Sequence, residues 1–376
     1  MSEILLAVGL IVAVFVGFNI GGSNTGVAFG PAVGSGAVSK IGAGVLMTGF
    51  ALLGGWTVGR RVVDTLGSEL VSGDPFTLAS SIAVLFFIGT ALFVSNVFGV
   101  PASTSMTAVG AIAGLGLATG RLNTGIILEI ISWWLVSPVI GFWISAVIGR
   151  YGYDWLAARI AIKRSDGPLV EFGPYPRLGP ETTPREFGGT LLVIGIACYM
   201  AFSAGASNVA NAVAPLVGNR SLTMNQGILL AAGAMGLGAL TIARRTLETM
   251  GNDLTELPLV AALVVAAVSA SLVTVLSALG VPASFVVIAT MSIVGLGWGR
   301  ATRAEGPLEP LETPDAADAA VAAEPIEQAG TNEAEPQTAA ELYRPATTAR
   351  VIVLQNLVPA IATVVAYVVF RYGPVM

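Results

Sequence analysis

Ser23, Asn24 and Thr25 stand in the run GGSNTGVAFGPAVG at 21–34, and Ser207, Asn208 and Asn211 in the run GASNVANAVAPLVG at 205–218. These side chains offer hydroxyl and amide donors and carbonyl acceptors, but no charge. Glycines beside them leave the backbone approachable and let a helix break there. N–H groups exposed at a broken helix end, joined by those donors, would make a neutral cradle for an oxyanion. Amide oxygens and freed backbone carbonyls could instead hold a small hard cation such as sodium. Asn24 and Asn208 are therefore candidates for either ligand, and Asn211 adds an amide to the ion-binding set.

A second kind of donor follows downstream. Pro101, Ser103, Thr104 and Ser105 lie in GVPASTS at 99–105, and Pro282 and Ser284 in GVPAS at 280–284. Proline frees a carbonyl and tends to start the next helix, whose early hydroxyls can face an anion. The first copy supplies three hydroxyls. The second has one, and then continues as Phe285-Val286-Val287, so a site shared between the copies is asymmetric.

These segments belong to an internal duplication. Ser23 and Asn24 align without a gap to Ser207 and Asn208 at an offset of 184, and the same offset carries VGRRVVDTLGSE at 58–69 onto IARRTLETMGND at 242–253. The GVPAS pair sits at offset 181, as a short deletion in the second half would produce. Polar, glycine-interrupted segments at matched positions of two apolar halves point to a transporter's binding site. Arg60, Arg61, Arg244 and Arg245 recur at matched positions, each pair followed by an acid, Asp64 or Glu248. Arginine and carboxylate four residues apart read as helix-end anchors, with attraction of an anion as the other reading.

The elements that must position these residues are membrane helices. The chain is 54% hydrophobic and 11% charged, with a mean hydropathy of +0.80, where soluble domains carry about 25% charged residues. Several apolar runs reach the roughly 20 residues that span a bilayer, and others reach it only by including the Gly/Ser-rich runs beside them. The expected class is an all-α, polytopic helical bundle in the cell membrane, with two homologous repeats, parallel or inverted, broken or re-entrant at the signature segments. The first repeat is placed at 1–149, a polar connector at 150–186 and the second repeat at 187–376. Residues 4–18 read as part of the bundle and not as a removed signal peptide.

Six basic residues make the connector the best cytoplasmic candidate. Its stretch RYGYDWLAARIAIKR reads as an interfacial amphipathic helix, and the Gly/Pro-rich remainder as irregular loop. Within the second repeat, 301–346 reads as a disordered acidic loop with ten acids between 305 and 341. No histidine occurs, and the single cysteine, Cys198, lies in an apolar run. Histidine-based zinc sites and Ser-His-Asp catalysis are excluded, and no nucleotide-binding fingerprint is present. The chain reads as a transporter driven by an ion gradient, and not as an enzyme. A channel or an anion sensor is the other class to weigh; no cofactor and no nucleic acid is implied, and self-association stays open.

These motifs resemble the inorganic phosphate transporter family, whose repeated signature is close to GANDVANAxGxxVGSGALT, followed by GxPVSTTH. The resemblance is carried by 21–39 and 205–218, with GVPASTS at 99–105 and GVPAS at 280–284. It implies a secondary transporter with inverted repeats, moving phosphate in symport with sodium or protons, sodium being the first expectation; sulfate or another tetrahedral oxyanion is the alternative. The family's Asn-Asp pair maps onto Ser23-Asn24 and Ser207-Asn208, so that asparagine stands here for each signature aspartate. Its hydroxyls map onto Ser103, Thr104, Ser105 and, in the second half, Ser284. Asn24 and Asn208 are then possible sodium ligands, in a site moved toward fully deprotonated anions such as sulfate.

Overall fold

The computed structural model describes residues 2–73, 76–97, 103–160, 170–172, 176–178, 182–242, 258–304 and 345–373. The first half holds α1 (Ser2–Gly34), α2 (Lys40–Thr57), α3 (Gly59–Asp64), α4 (Leu78–Val97), α5 (Thr104–Thr119), α6 (Thr124–Val147) and the short α7 (Tyr153–Arg159). A π-helical turn extends α3 over Thr65–Glu69, and another joins α6 to α7 over Ile148–Gly152. The second half holds α8 (Pro184–Gly218), α9 (Met224–Thr241), α10 (Leu259–Ala278), α11 (Phe285–Ala304) and α12 (Pro345–Tyr372). Six described helices are long and apolar enough to cross a membrane, seven if α2 and α3, bent by 67° at their junction, count as one. The protein is a multi-pass membrane helical bundle.

Two expectations are corrected. The signature segments do not break their helices: α1 and α8 run unbroken through 21–34 and 205–218. Part of the connector is regular, because β1 (Val170–Phe172) pairs antiparallel with β2 (Pro176–Leu178) where loop was expected. The acidic segment, Arg244, Arg245 and Glu248 lie outside the described residues.

Glycines and alanines set the packing, since in lipid the helices associate by close approach of small residues. Gly17 lies against Ala231 and Ala234, Gly21 against Met235, and Gly22 against Ile242, so α1 and α9 run parallel. Ala51 meets Gly205, Gly55 meets Val209 and Gly67 meets Ala214 and Gly218, which makes α2 with α3 parallel to α8. Gly44 beside Leu240 and Thr48 beside Gly236 make α2 antiparallel to α9. It follows that α1 and α8 run in opposite directions, and the duplicated halves are inverted.

The remaining helices exchange partners across the halves. α5 packs along α12 and α6 along α11. Large apolar side chains such as Leu128, Leu135 and Val139 stay exposed on α6, where acyl chains would cover them. Helix ends are closed locally: Ser39, Ser103, Asn123 and Thr183 cap α2, α5, α6 and α8. Thr223 and Gln226 form a reciprocal capping box on α9. Thr223→Ala should cost about 1 kcal/mol, visible as a lower thermal midpoint of the purified protein.

The interruptions of the bundle fall at the GVPAS copies. α4 runs beside α1, with Ile82 at Gly9, Gly89 at Phe15 and Val16, and Asn96 bonded to Asn19 Oδ1 at 3.2 Å. α5 then returns to the level at which α4 began, where Asn123 N donates to Leu70 O at 3.0 Å and Ser72 N to Arg121 O at 2.8 Å. α4 and α5 thus form a helical hairpin, and the last turn of α4 reaches Asn19, just before the first signature. α10 and α11 flank the matching turn at 279–284, which Gly280 makes with a φ of 84°. Arg61 Nη1 donates to Ala278 O at 2.6 Å and Arg60 Nη2 to Asn225 Oδ1 at 2.6 Å. The first di-arginine therefore anchors the second hairpin and the start of α9.

Candidate functional site

The N-terminus of α5 meets the second signature in the middle of α8. Thr104 Oγ1 donates to Asn208 Oδ1. Ser105 Oγ lies 3.2 Å from Ser207 Oγ, and Asn211 Nδ2 donates to Ser105 Oγ at 3.4 Å and to Asn208 Oδ1 at 3.1 Å. Ser207 Oγ also donates to Ala283 O at 3.0 Å, in the second hairpin turn. The start of α5 and the 279–284 turn thus converge on one helical turn of α8. Ser207, Asn208 and Asn211 are all buried there.

Amide orientations follow from this network. Asn208 Nδ2 donates to Ala204 O at 3.0 Å, a carbonyl that can only accept, so Asn208 Oδ1 is the acceptor for Thr104 and Asn211. Asn211 must then present Nδ2 toward Asn208, which leaves its own Oδ1 as a buried acceptor with no partner. Such an atom suits a cation or a protonated ligand oxygen.

The first signature is arranged differently. Thr25 Oγ1 donates to Gly21 O at 2.6 Å, and Ser23 Oγ lies 3.1 Å from both Asn19 O and Ile20 O. Asn24 Nδ2 is a buried donor without a partner. The reason lies in the asymmetry of the GVPAS copies. Thr104 bonds Asn208, but its counterpart Phe285 has no hydroxyl to offer Asn24; Ser105 and Asn211 likewise have Val286 and Val27 as counterparts. Asn24, Val27 and Ala28 face Met200, Ala204 and Phe285 across a cavity of about 10 Å³. That is room for about one water.

Ser103 serves as a cap, accepting from Met106 N at 3.2 Å, and Ser284 Oγ lies 3.5 Å from Val287 N. The sequence-predicted residues therefore fall into three groups. Thr104, Ser105, Ser207, Asn208 and Asn211 form one network; Asn24 faces the cavity; Ser23, Thr25, Ser103 and Ser284 bond the backbone of their own segments. Asn96 and Met200 were not foreseen, since one amide or thioether in an apolar helix carries no spacing signal. Thr104→Val should weaken the network by about 1 kcal/mol, read as a several-fold loss of anion uptake at unchanged protein yield.

Known proteins share the sequence pattern and the fold of this chain. The sequence pattern of the phosphate transporter family matches residues 20–166 and 177–332. A sulfate permease of Bacillus subtilis is 30% identical over 77% of this chain and 77% of its own. A putative phosphate permease of Chlamydia trachomatis is 26% identical over 78% of this chain and 91% of its own. The solved structure titled as the sodium-dependent phosphate transporter superposes with a TM-score of 0.67, covering 98% of this chain and 99% of that one at 18% identity. That likeness establishes a shared fold.

Proposed function

Because this chain belongs to the phosphate transporter family, we propose that it is a secondary transporter that carries sulfate in symport with sodium. The coarser statement stands without the proposal: it is a membrane transporter for a phosphate- or sulfate-type anion, and not an enzyme. The observation that carries the finer reading is the network around Asn208, built from amides and hydroxyls with no carboxylate. Sulfate has no proton to donate near neutral pH, so neutral donors suit it, and a carboxylate would repel it. The similarity to a sulfate permease supports the same order. It reverses the preference for phosphate that the family resemblance alone suggests.

Phosphate remains the second reading, favoured by the unpartnered Asn211 Oδ1. A monoprotonated phosphate could donate its hydroxyl there, whereas sulfate would leave that oxygen for sodium. Sodium coupling rests on the same oxygen together with the family resemblance.

Proteoliposomes holding the purified protein should take up radiolabelled sulfate, and a tenfold excess of unlabelled phosphate should leave most of that uptake in place. Complete inhibition by equimolar phosphate would make phosphate the cargo. Replacing external sodium by potassium at fixed pH should abolish accumulation; unchanged uptake would sink sodium symport. Flux far above carrier rates, with no accumulation against a gradient, would indicate a channel.

A further inference from the structure

At the end of the bundle where α6 passes into α7, the structure gathers arginines and aromatic rings from two distant stretches of chain. Arg150 Nη1 donates to Thr302 O at 2.9 Å, tying the end of α6 to the last turn of α11. Arg300 lies over the Tyr153 ring at 4.2 Å and Arg159 over the Trp155 ring at 4.1 Å. Arg150 lies 5.7 Å from the Tyr151 ring centroid. Tyr151 and Trp155 are 73% and 56% exposed, and Trp143 and Trp298, in edge contact at 5.8 Å, continue the aromatic surface along the apolar flank.

The charges in this cluster do not balance. Among the described residues, Arg150, Arg159, Arg300 and Arg303 face one carboxylate, Asp154, which Arg303 already holds at 2.6 Å. Arg300 Nη1 is buried and has no hydrogen-bond acceptor among them. An arginine cannot shed its charge, and a partly buried guanidinium without a counter-charge is costly. Exposed aromatic rings beside arginine at a helix end are the side chains found at the level of lipid headgroups.

We propose that this cluster is a binding site for the headgroup of an anionic phospholipid. Arg150, Arg300 and Arg303 supply the charge, Tyr151 and Trp155 line the boundary between headgroup and acyl chain, and Trp143 and Trp298 flank the chains. Two other occupants have the same charge. Free sulfate or phosphate would need no aromatic surface. The chain's own acidic segment, ten acids between 305 and 341, is rich in proline and alanine and offers little apolar area to cover Tyr151 and Trp155. The exposed rings favour the lipid.

The test uses the full-length protein in phosphatidylcholine vesicles into which acyl-brominated lipids are titrated, with tryptophan emission as the readout. Brominated phosphatidylglycerol should quench at lower mole fraction than brominated phosphatidylcholine. Substituting Arg150 and Arg300 by Gln should reduce that preference by about fivefold for each arginine removed, and Arg300→Lys should restore part of it. Equal quenching by the two lipids in the unsubstituted protein would overturn the proposal without recourse to any variant. Loss of the preference on adding millimolar sulfate or phosphate at constant ionic strength would assign the site to a free anion. A preference seen only after the ten acids are neutralised would assign it to the acidic segment.

Discussion

Gly205→Ala should abolish accumulation of folded protein in the membrane, while Gly34→Ala and Gly49→Ala should leave it unchanged. A Cβ on Gly205 would collide with the backbone carbonyl of Ala51, and one on Gly21 with the carbonyl of Met235. Backbone cannot rotate away as a side chain can, so the helices would have to part along their whole contact. Overpacking of this kind costs about 1–3 kcal/mol even where side chains yield, and here it acts at the crossings that join the two halves. Gly34 and Gly49 have open space where a Cβ would stand. Gly21→Ala should match Gly205→Ala, because the two positions are related by the duplication. Fluorescence-detected size exclusion of tagged variants would check this; a normal monodisperse peak for Gly205→Ala would refute the packing argument.

Asn208→Asp should lower sulfate uptake at neutral pH by at least about a hundredfold while leaving the protein folded. Its side chain would still accept from Thr104 and Asn211, but the donor to Ala204 O at 3.0 Å would become an oxygen. A negative charge about 4 Å from an anion opposes it by roughly 4 kcal/mol per unit of charge at an intermediate effective dielectric, and sulfate carries two. Protonating the introduced carboxyl at low pH would restore a neutral donor toward Ala204 O. Sulfate itself stays fully deprotonated across that range. Uptake by Asn208→Asp should therefore rise as pH is lowered from 8 toward 5, the unsubstituted protein staying nearly flat. A flat profile for the variant, with uptake near normal, would remove Asn208 from the anion's path.

Much of this was legible in the residues themselves. The 184-residue echo gives the duplication, and hydropathy gives the all-helical membrane class. The loss of hydroxyls after Ser284 gives the asymmetry, which surfaces in three dimensions as Thr104 bonding Asn208 and Phe285 leaving Asn24 Nδ2 without a partner. What the sequence misdirects is the role of the signature glycines. In water Gly21-Gly22 and Gly205 would weaken a helix, but here Gly21 and Gly205 sit against the backbone of a neighbouring helix, which leaves no room for a side chain, and Gly22 against the Ile242 side chain. In the first signature the hydroxyls return to carbonyls of the same helix, as Thr25 does to Gly21, and in the second the Asn208 amide does so to Ala204, so each helix continues through a run that reads as a break. A described turn lies instead at 279–284, where Gly280 takes a φ of 84° and Pro282 lacks a backbone donor. Which helix lies beside which was not readable, because apolar periodicity marks a buried face without naming its neighbour.

The exchange of partners between halves has a consequence for how the chain is made. α5 lies along α12 and α6 along α11, while α1 lies along α9 and α2 along α8. Almost every helix of the first half therefore waits for a neighbour that has not yet been synthesised. At about 5–20 residues per second, the roughly 190 residues of the second half take on the order of 10–40 s to follow. During that interval the Asn208 side of the network does not exist, and Thr104 and Ser105 have no amide to meet. Assembly of this transporter is therefore completed late: α1, α4 and α5 can pair as soon as they are made, but α5 waits for α12 and α6 for α11.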